Sequence, residues 1–196
     1  TRSPSTPLGS VDTPLSATEY ALGCGARFVA RGIDTQQKHL PDVFKRAHAH
    51  RGASFVEVFQ NCIVYNNGVY DHFTDKSVAA DQQIVCEHGQ PLTFGAEGDK
   101  GLRLVSGKME LEIVTVGENG VREQDVLVHD ETNKMMAHLL AAMKSPAFPT
   151  AIGVLYCDPA PTYEAAVHEQ LASEKEKKPN TDLNALLRQG STWTVD

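Results

Sequence analysis

The chain has 196 residues, of which 41% are hydrophobic and 22% charged, and its formal net charge is −7. That length supports one domain with a proper core, and the composition is that of an ordinary soluble globular protein. The negative balance argues against a nucleic-acid partner, and no apolar run is long enough to span a membrane.

The four cysteines, Cys24, Cys62, Cys86 and Cys157, are scattered, and no Cys-x-x-Cys occurs. They read as reduced thiols of a cytoplasmic protein rather than a disulfide frame. Thr1 to Pro7 has no methionine and reads as the inside of a loop, as in a portion of something longer.

Pro4, Pro7 and Pro14 preclude a regular element at the start. Ser16 followed by Glu19 predicts a capped helix that ends at Gly23 and Gly25, with Cys24 as packing. A short strand follows over 26–31. Leu40, Val43, Phe44 and Ala47 then recur at helical spacing, which predicts a helix over about 36–50 with those residues inward. His39, His48 and His50 do not converge on a metal and read as surface histidines. A second strand, over 53–59, completes a βαβ unit with parallel strands.

That second strand changes character at Gln60-Asn61, and Cys62 sits just past its end. Tyr65-Asn66-Asn67-Gly68 closes the segment as a turn. Free cysteines usually act as small buried hydrophobes. A thiol at the carboxyl end of a parallel strand, however, opens into the crevice where α/β sheets place their chemistry.

Tyr70 to Phe73 predicts a short helix. Gln82 to Cys86 reads as a strand, with a hairpin turn at Glu87-His88-Gly89-Gln90 into Pro91 to Phe94. Gly95, Gly98 and Gly101 form no phosphate loop, because no Gly-Lys-Ser/Thr follows; they read as a flexible connection. Residues 102–105 and 108–116 are extended, and Met109, Leu111 and Ile113 alternate with Glu110 and Glu112, which predicts one wet face. His129 reads as a satisfied loop histidine and Asp130 as the cap of a helix over about 131–144, with Met135, Met136, Leu139, Leu140 and Met143 inward. Ser145-Pro146 stops that helix. Ala151 to Tyr156 is a continuous apolar strand with both faces covered. Pro161 starts a helix that fades into the charged run 174–178. Asp182 caps a last short helix carrying Leu183, Leu186 and Leu187, ended by Gly190, and Trp193 folds back or packs on a partner.

Several runs, in order, resemble one family. They are Pro7-Leu8-Gly9-Ser10-Val11-Asp12, Phe28-Val29-Ala30-Arg31, Lys38-His39-Leu40, His50-Arg51-Gly52-Ala53, Gln60-Asn61-Cys62, Tyr65-Asn66-Asn67-Gly68, Pro91-Leu92-Thr93-Phe94-Gly95 and Gly190-Ser191-Thr192-Trp193. Together they look like β subunits of 2-oxoglutarate (2-oxoacid):ferredoxin oxidoreductases, which are about twice as long. The chain resembles their carboxyl-terminal part.

The resemblance implies a mostly parallel, thiamine-diphosphate-binding α/β sheet flanked by helices, with a carboxyl-terminal hairpin and helical extension. Residues 1–68 would be the second half of that domain and 69–196 the extension. It implies oxidative decarboxylation of 2-oxoglutarate with CoA to succinyl-CoA, on thiamine diphosphate and Mg²⁺, with electrons passed through a [4Fe-4S] cluster to ferredoxin. Partners would be an α subunit and the preceding part of the β subunit. Cys62 aligns with the last cysteine ligand of the cluster, although Ile63 stands where many relatives have proline. The family's Gly-Asp-Gly motif and amino-terminal Cys-x-x-Cys are absent, so the diphosphate, Mg²⁺ and the other three thiolates would be held elsewhere. Pyruvate or an aryl-pyruvate as substrate, and a non-catalytic module that docks ferredoxin or an α subunit, are the alternatives.

Overall fold

The computed structural model describes residues 2, 5–177 and 182–195. It forms two compact units, Thr1–Ala160 and Pro161–Asp196. In the first, the elements in order are α1 (Ala17–Gly23), β1 (Phe28–Ile33), α2 (Leu40–Ala49), β2 (Phe55–Phe59), α3 (Asp71–Thr74), α4 (Ala79–Gln82), β3 (Gln83–Cys86), β4 (Thr93–Phe94), β5 (Lys100–Leu104), β6 (Leu111–Thr115), α5 (Lys134–Ala142) and β7 (Thr150–Cys157).

The main sheet has the order β2-β1-β7-β3. β1 pairs parallel with β2, and β3 pairs parallel with β7, while β1 and β7 are antiparallel. The sheet is therefore mostly parallel with helices on its faces, as the sequence predicts. It draws β1 and β2 from before residue 68 and β3 and β7 from after it. Every residue of β1 and β7 is buried, which is why β7 reads as a continuous rather than an alternating apolar run. On one face Val29, Ile84, Ala151 and Leu155 pack with Leu22 of α1, Ala137 and Leu140 of α5, and Leu92 and Leu102. On another, Phe28, Ala30, Val154 and Cys157 pack on Val43 of α2. Each fully buried Leu, Ile or Phe here contributes about 1.5–3 kcal/mol.

The caps follow the predicted chemistry in part. Ser16 Oγ accepts from the Glu19 N–H, and Gly25 ends α1 with φ of +85°. Cys24, expected to pack, is exposed. α2 starts at Leu40, with Pro41 in its first turn. Val43 is its buried residue, whereas Phe44, expected inward, is 48% exposed because it lies at the flank of the contact stripe.

Four further expectations are corrected. Glu87 to Gln90 does form a turn, but it is not a hairpin from β3. β4 pairs with β5 in a separate antiparallel sheet, β4-β5-β6, and the Gly89 and His129 N–H groups bond the His129 and Gln90 carbonyls. In β6 the buried residue is Val114, and Ile113 and Met109 are exposed. Val114 faces Gly101 across the ladder, and Val126 packs so closely over Gly101 that a Cβ there would sit 2.6 Å from Val126 Cγ2. α5 is capped by Asn133, whose Oδ1 accepts from the Met135 and Met136 N–H groups at 3.1 Å. Asp130 instead closes a local turn through Thr132. The buried stripe of α5 runs through Ala137, Leu140 and Ala141, because the small alanines let the helix lie close on β7. Met135 is 59% exposed, and Met136 and Leu139 are half-buried.

His39 and His129 are also not as the sequence reads. His129 is buried, with Nε2 2.8 Å from the Val154 carbonyl, but its Nδ1 has no partner. Burial lowers the pKa of both rings, and His39 is a half-buried residue whose Nδ1 lacks a partner rather than a fully exposed one.

The second unit holds α6 (Tyr163–Lys177) and α7 (Leu183–Leu187). α6 begins after Thr162, whose Oγ1 accepts from the Ala165 N–H, so Pro161 precedes the helix. Asp182 caps α7, as predicted. Leu183, Leu186, Leu187 and Trp193 are exposed, so Trp193 does not fold back among the described residues. Pro4 and Lys178, named above, lie outside the described residues.

Candidate functional site

β2 is an edge strand, and its parallel partner β1 fixes its direction. Its carboxyl end is held by aromatic packing. Phe59, the last strand residue, stacks with Tyr70 and Phe73 at centroid distances of 5.1 and 5.3 Å, and this group sits against Ile33 and Ile152. Residues 60–69 thus leave the core at Phe59 and return to it at Tyr70.

Beneath that anchor lies a buried charge that the sequence reading left unassigned. Arg31 is 5% exposed, in the middle of β1. Its Nε donates to Glu57 Oε2 at 2.8 Å, Thr18 Oγ1 donates to the same oxygen at 2.5 Å, and its guanidinium lies 5.5 Å from the Phe59 ring centroid. A buried cation needs such partners, since its desolvation is otherwise uncompensated. The visible signal was an arginine inside an otherwise apolar strand.

The loop itself is closed by backbone and side-chain bonds. Cys62 and Asn66 form an isolated antiparallel bridge, and the Asn66 N–H donates to the Cys62 carbonyl at 3.0 Å. Asn61 Nδ2 donates to Asn67 Oδ1, and Asn61 Oδ1 accepts from the Gly68 N–H, both at 2.9 Å. Gly68 has φ of +77°, and a Cβ there would lie 2.8 Å from Asp71 Oδ2, so the return into α3 requires glycine.

The Cys62 thiol is exposed. The neighbouring backbone N–H groups of Tyr65 and then Val64 hold its pKa below the usual thiol range, against a small effect of burial, with Asn66 adding least. The other cysteines differ. Cys86 is buried, and desolvation pushes its thiol up to about 12. Burial also raises Cys157, whose sulfur lies 4.0 Å from His50 Nδ1. Cys24 is exposed and forms part of no metal-binding cluster.

Among the described residues, no group of three or more His, Cys, Asp or Glu converges on a metal position. The described residues therefore offer no Mg²⁺ position. A single exposed thiol is compatible with one ligand of an iron–sulfur cluster, which takes thiolates.

No family model matches the chain. Individual relatives do. The 2-oxoglutarate oxidoreductase subunit KorB of Mycobacterium tuberculosis is 32% identical over 197 residues, which is 98% of this chain and 52% of that protein. The chain is homologous to β subunits of 2-oxoacid:ferredoxin oxidoreductases. One such β subunit, from Saccharolobus solfataricus, is 32% identical over 74 residues, 38% of this chain and 24% of its own. A solved 2-oxoglutarate:ferredoxin oxidoreductase from Magnetococcus marinus, with 2-oxoglutarate, coenzyme A and succinyl-CoA bound, shares the fold with a TM-score of 0.57 at 20% identity, over 96% of this chain and 48% of that one. The chain thus spans about half the length of the Mycobacterium tuberculosis subunit that it matches from end to end of its own sequence.

Proposed function

We propose that the chain is the carboxyl-terminal part of the β subunit of a CoA-acylating 2-oxoacid:ferredoxin oxidoreductase, with 2-oxoglutarate as the acid. In that reaction 2-oxoglutarate and CoA give succinyl-CoA, CO₂ and a proton, and two electrons leave through a [4Fe-4S] cluster to ferredoxin. The observation that carries the reading is an exposed Cys62 thiol just past the end of β2, in a chain similar along nearly its whole length to such a subunit. The name of the relative that matches nearly all of this chain favours 2-oxoglutarate over pyruvate or an aryl-pyruvate.

In this reading Cys62 supplies one of four thiolates. Bound there, the cluster accepts and passes on single electrons. The chain's own contribution is to present an exposed thiol whose pKa is held down by the neighbouring backbone of Tyr65 and Val64, which favours the thiolate that a cluster takes. Ile63, Val64 and Tyr65 are exposed beside the thiol and offer an apolar surface for the α subunit or the preceding part of the β subunit to cover. Thiamine diphosphate and Mg²⁺ belong to those other parts, with residues 1–68 completing their domain and 69–196 forming the extension that returns β3 and β7 to the same sheet. Exposed Cys24 and Cys62 suit a reducing, cytoplasmic compartment; no helix among the described residues is long and apolar enough to cross a membrane.

The test is Cys62→Ala in the assembled oxidoreductase. Iron content falls and ferredoxin reduction is lost. Unchanged iron and unchanged electron transfer would leave the docking-module reading instead.

A further inference from the structure

The two edges of the main sheet differ. β3 lies against β4 of the second sheet, where Ile84 and Cys86 pack with Leu92, Phe94 and Leu102. β2, at the other edge, packs on β1, α1 and α2. The Asp34 N–H donates to the Phe59 carbonyl at 3.0 Å, and Phe59 pairs with Ile33. Backbone groups alternate sides along a parallel strand. Phe55, Glu57 and Phe59 therefore bond β1, and the N–H and C=O groups of Val56 and Val58 point to the free edge. Neither valine's backbone enters a turn or loop bond among the described residues. Natural edges are guarded by Pro, Lys, a bulge or an inward charge. Phe55 to Phe59 has no Pro or Lys, and its register with β1 is unbroken. Its one charge, Glu57, is taken up by Arg31 and Thr18. α2 adds an apolar wall on the same side. Its His39, Val43 and Arg46 border a cleft with Val85 and Val154, toward β7 and β3. Leu40, Phe44 and His48, at i, i+4 and i+8, line the opposite flank, which faces the β2 side. Phe44 is 48% exposed there, and Val58 is 36% exposed at the strand edge. Parallel strands are normally covered on both faces; β1 is, and its parallel partner β2 is only half-buried.

We propose that the outer edge of β2, with the Leu40–Phe44 flank of α2, is the surface on which a further strand from the rest of the β subunit adds to this sheet. Val56 and Val58 supply its main-chain donors and acceptors, and apolar side chains of the added strand cover Val58 and Phe44. The inference rests on the β-subunit reading above. This chain spans 52% of the Mycobacterium tuberculosis subunit, so that reading leaves about half of such a subunit to supply the strand. A strand of the same subunit suits this edge better than ferredoxin does. A partner that leaves after each electron would return the unpaired groups and Phe44 to water.

The experiment reads amide hydrogen exchange residue by residue, by mass spectrometry with electron-transfer fragmentation, in this chain alone and in the assembled oxidoreductase. Val56 and Val58 exchange at least about tenfold more slowly in the assembly, as amides that gain a hydrogen bond do, while Glu57 is protected in both. Val58→Pro removes an outward N–H and no bond to β1, so the chain alone keeps its thermal unfolding, yet the variant is lost from the assembly. Phe44→Ser touches no backbone bond and lowers the assembled yield by less. If Val58→Pro does not fold alone, the wild-type exchange and Phe44→Ser still decide. Equally fast exchange of Val56 and Val58 in both states, or wild-type yields of assembled Val58→Pro and Phe44→Ser, overturns the proposal. So does protection that appears in the chain alone as its mass doubles, which puts a second copy on the edge. Failure of the β-subunit reading shows separately, as a wild-type assembly without CoA-dependent 2-oxoglutarate oxidation, and the exchange ratio still reports whether the edge is paired.

Discussion

Two cysteines end two parallel-paired strands of the same sheet, and their surroundings are opposite. Cys62 follows β2, which pairs with β1, and Cys86 is the last residue of β3, which pairs with β7. Both meet the general description of a residue at a strand's carboxyl end. Cys86 is buried, packs with Val29, Leu92 and Leu155, and is pushed up to about 12 by desolvation. Cys62 is exposed, and the N–H groups of Tyr65 and Val64 hold its pKa down. The position in a sheet therefore does not make a ligand. The loop after the strand does, by supplying donors and access in place of apolar cover.

The comparison breaks most sharply on iron. Cys62→Ala is expected to remove cluster iron from the assembled enzyme, while Cys86→Ala leaves it intact and costs only packing stability, measured by iron analysis and thermal unfolding. The next effect is chemical. With iodoacetamide, Cys62 is alkylated in the folded chain and Cys86 is not until the chain unfolds, as peptide mass spectrometry would show. The pH dependence carries opposite signs. The folded pKa of Cys62 is lowered, so its contribution to stability is present above the unfolded thiol pKa and is lost as pH falls through the folded value. The folded pKa of Cys86 is raised, so its contribution is complete below the unfolded pKa of about 8.5 and is lost as pH rises toward 12. The alkylation rate of Cys62 should accordingly rise at lower pH in the folded than in the unfolded chain.

A third effect concerns what holds β2 in place under the loop. Arg31→Met leaves Glu57 and Thr18 without their cation and should cost about 3 kcal/mol by denaturant unfolding, whereas Arg31→Met with Glu57→Leu recovers most of it, since a whole buried pair is replaceable by apolar groups. If the double variant is no more stable than the single one, the pair is not what anchors β2. The smallest effect is at the surface. Arg46 and Glu131 form a two-pronged ion pair at 2.8 and 2.7 Å, but Arg46 is half-exposed, so Arg46→Ala should cost about 1 kcal/mol or less and lose that effect in high salt.

Much of the scaffold was legible in local pattern. The βαβ unit over 28–59, the Ser16 and Asp182 caps, the all-buried β7 and the exposed turn after β2 all follow from period, cap and breaker residues close together in the chain. The misreadings share one cause. Met135 looked inward because its spacing is right for a stripe, yet it is exposed, and Ala137 and Ala141 join the predicted Leu140 and Met143 in the core, since which side faces β7 depends on how close the helix can approach. The β6 alternation pointed to Ile113, and Val114 is inside because Val126 and Gly101, distant in sequence, meet there. The turn at Glu87–Gln90 was visible, but not that its far strand joins another sheet.

Residue order alone determined that a thiol would follow a strand and precede a glycine turn, because strand propensity, Gly68 and the Asn-rich run act over a few neighbouring positions. Only the tertiary structure decided that this strand is an edge, that Arg31, Glu57 and Thr18 meet beneath it, and that Asn61 bridges to Asn67 and Gly68 rather than to the sulfur. Those outcomes turn on pairings and desolvation between segments, which no short window of sequence contains.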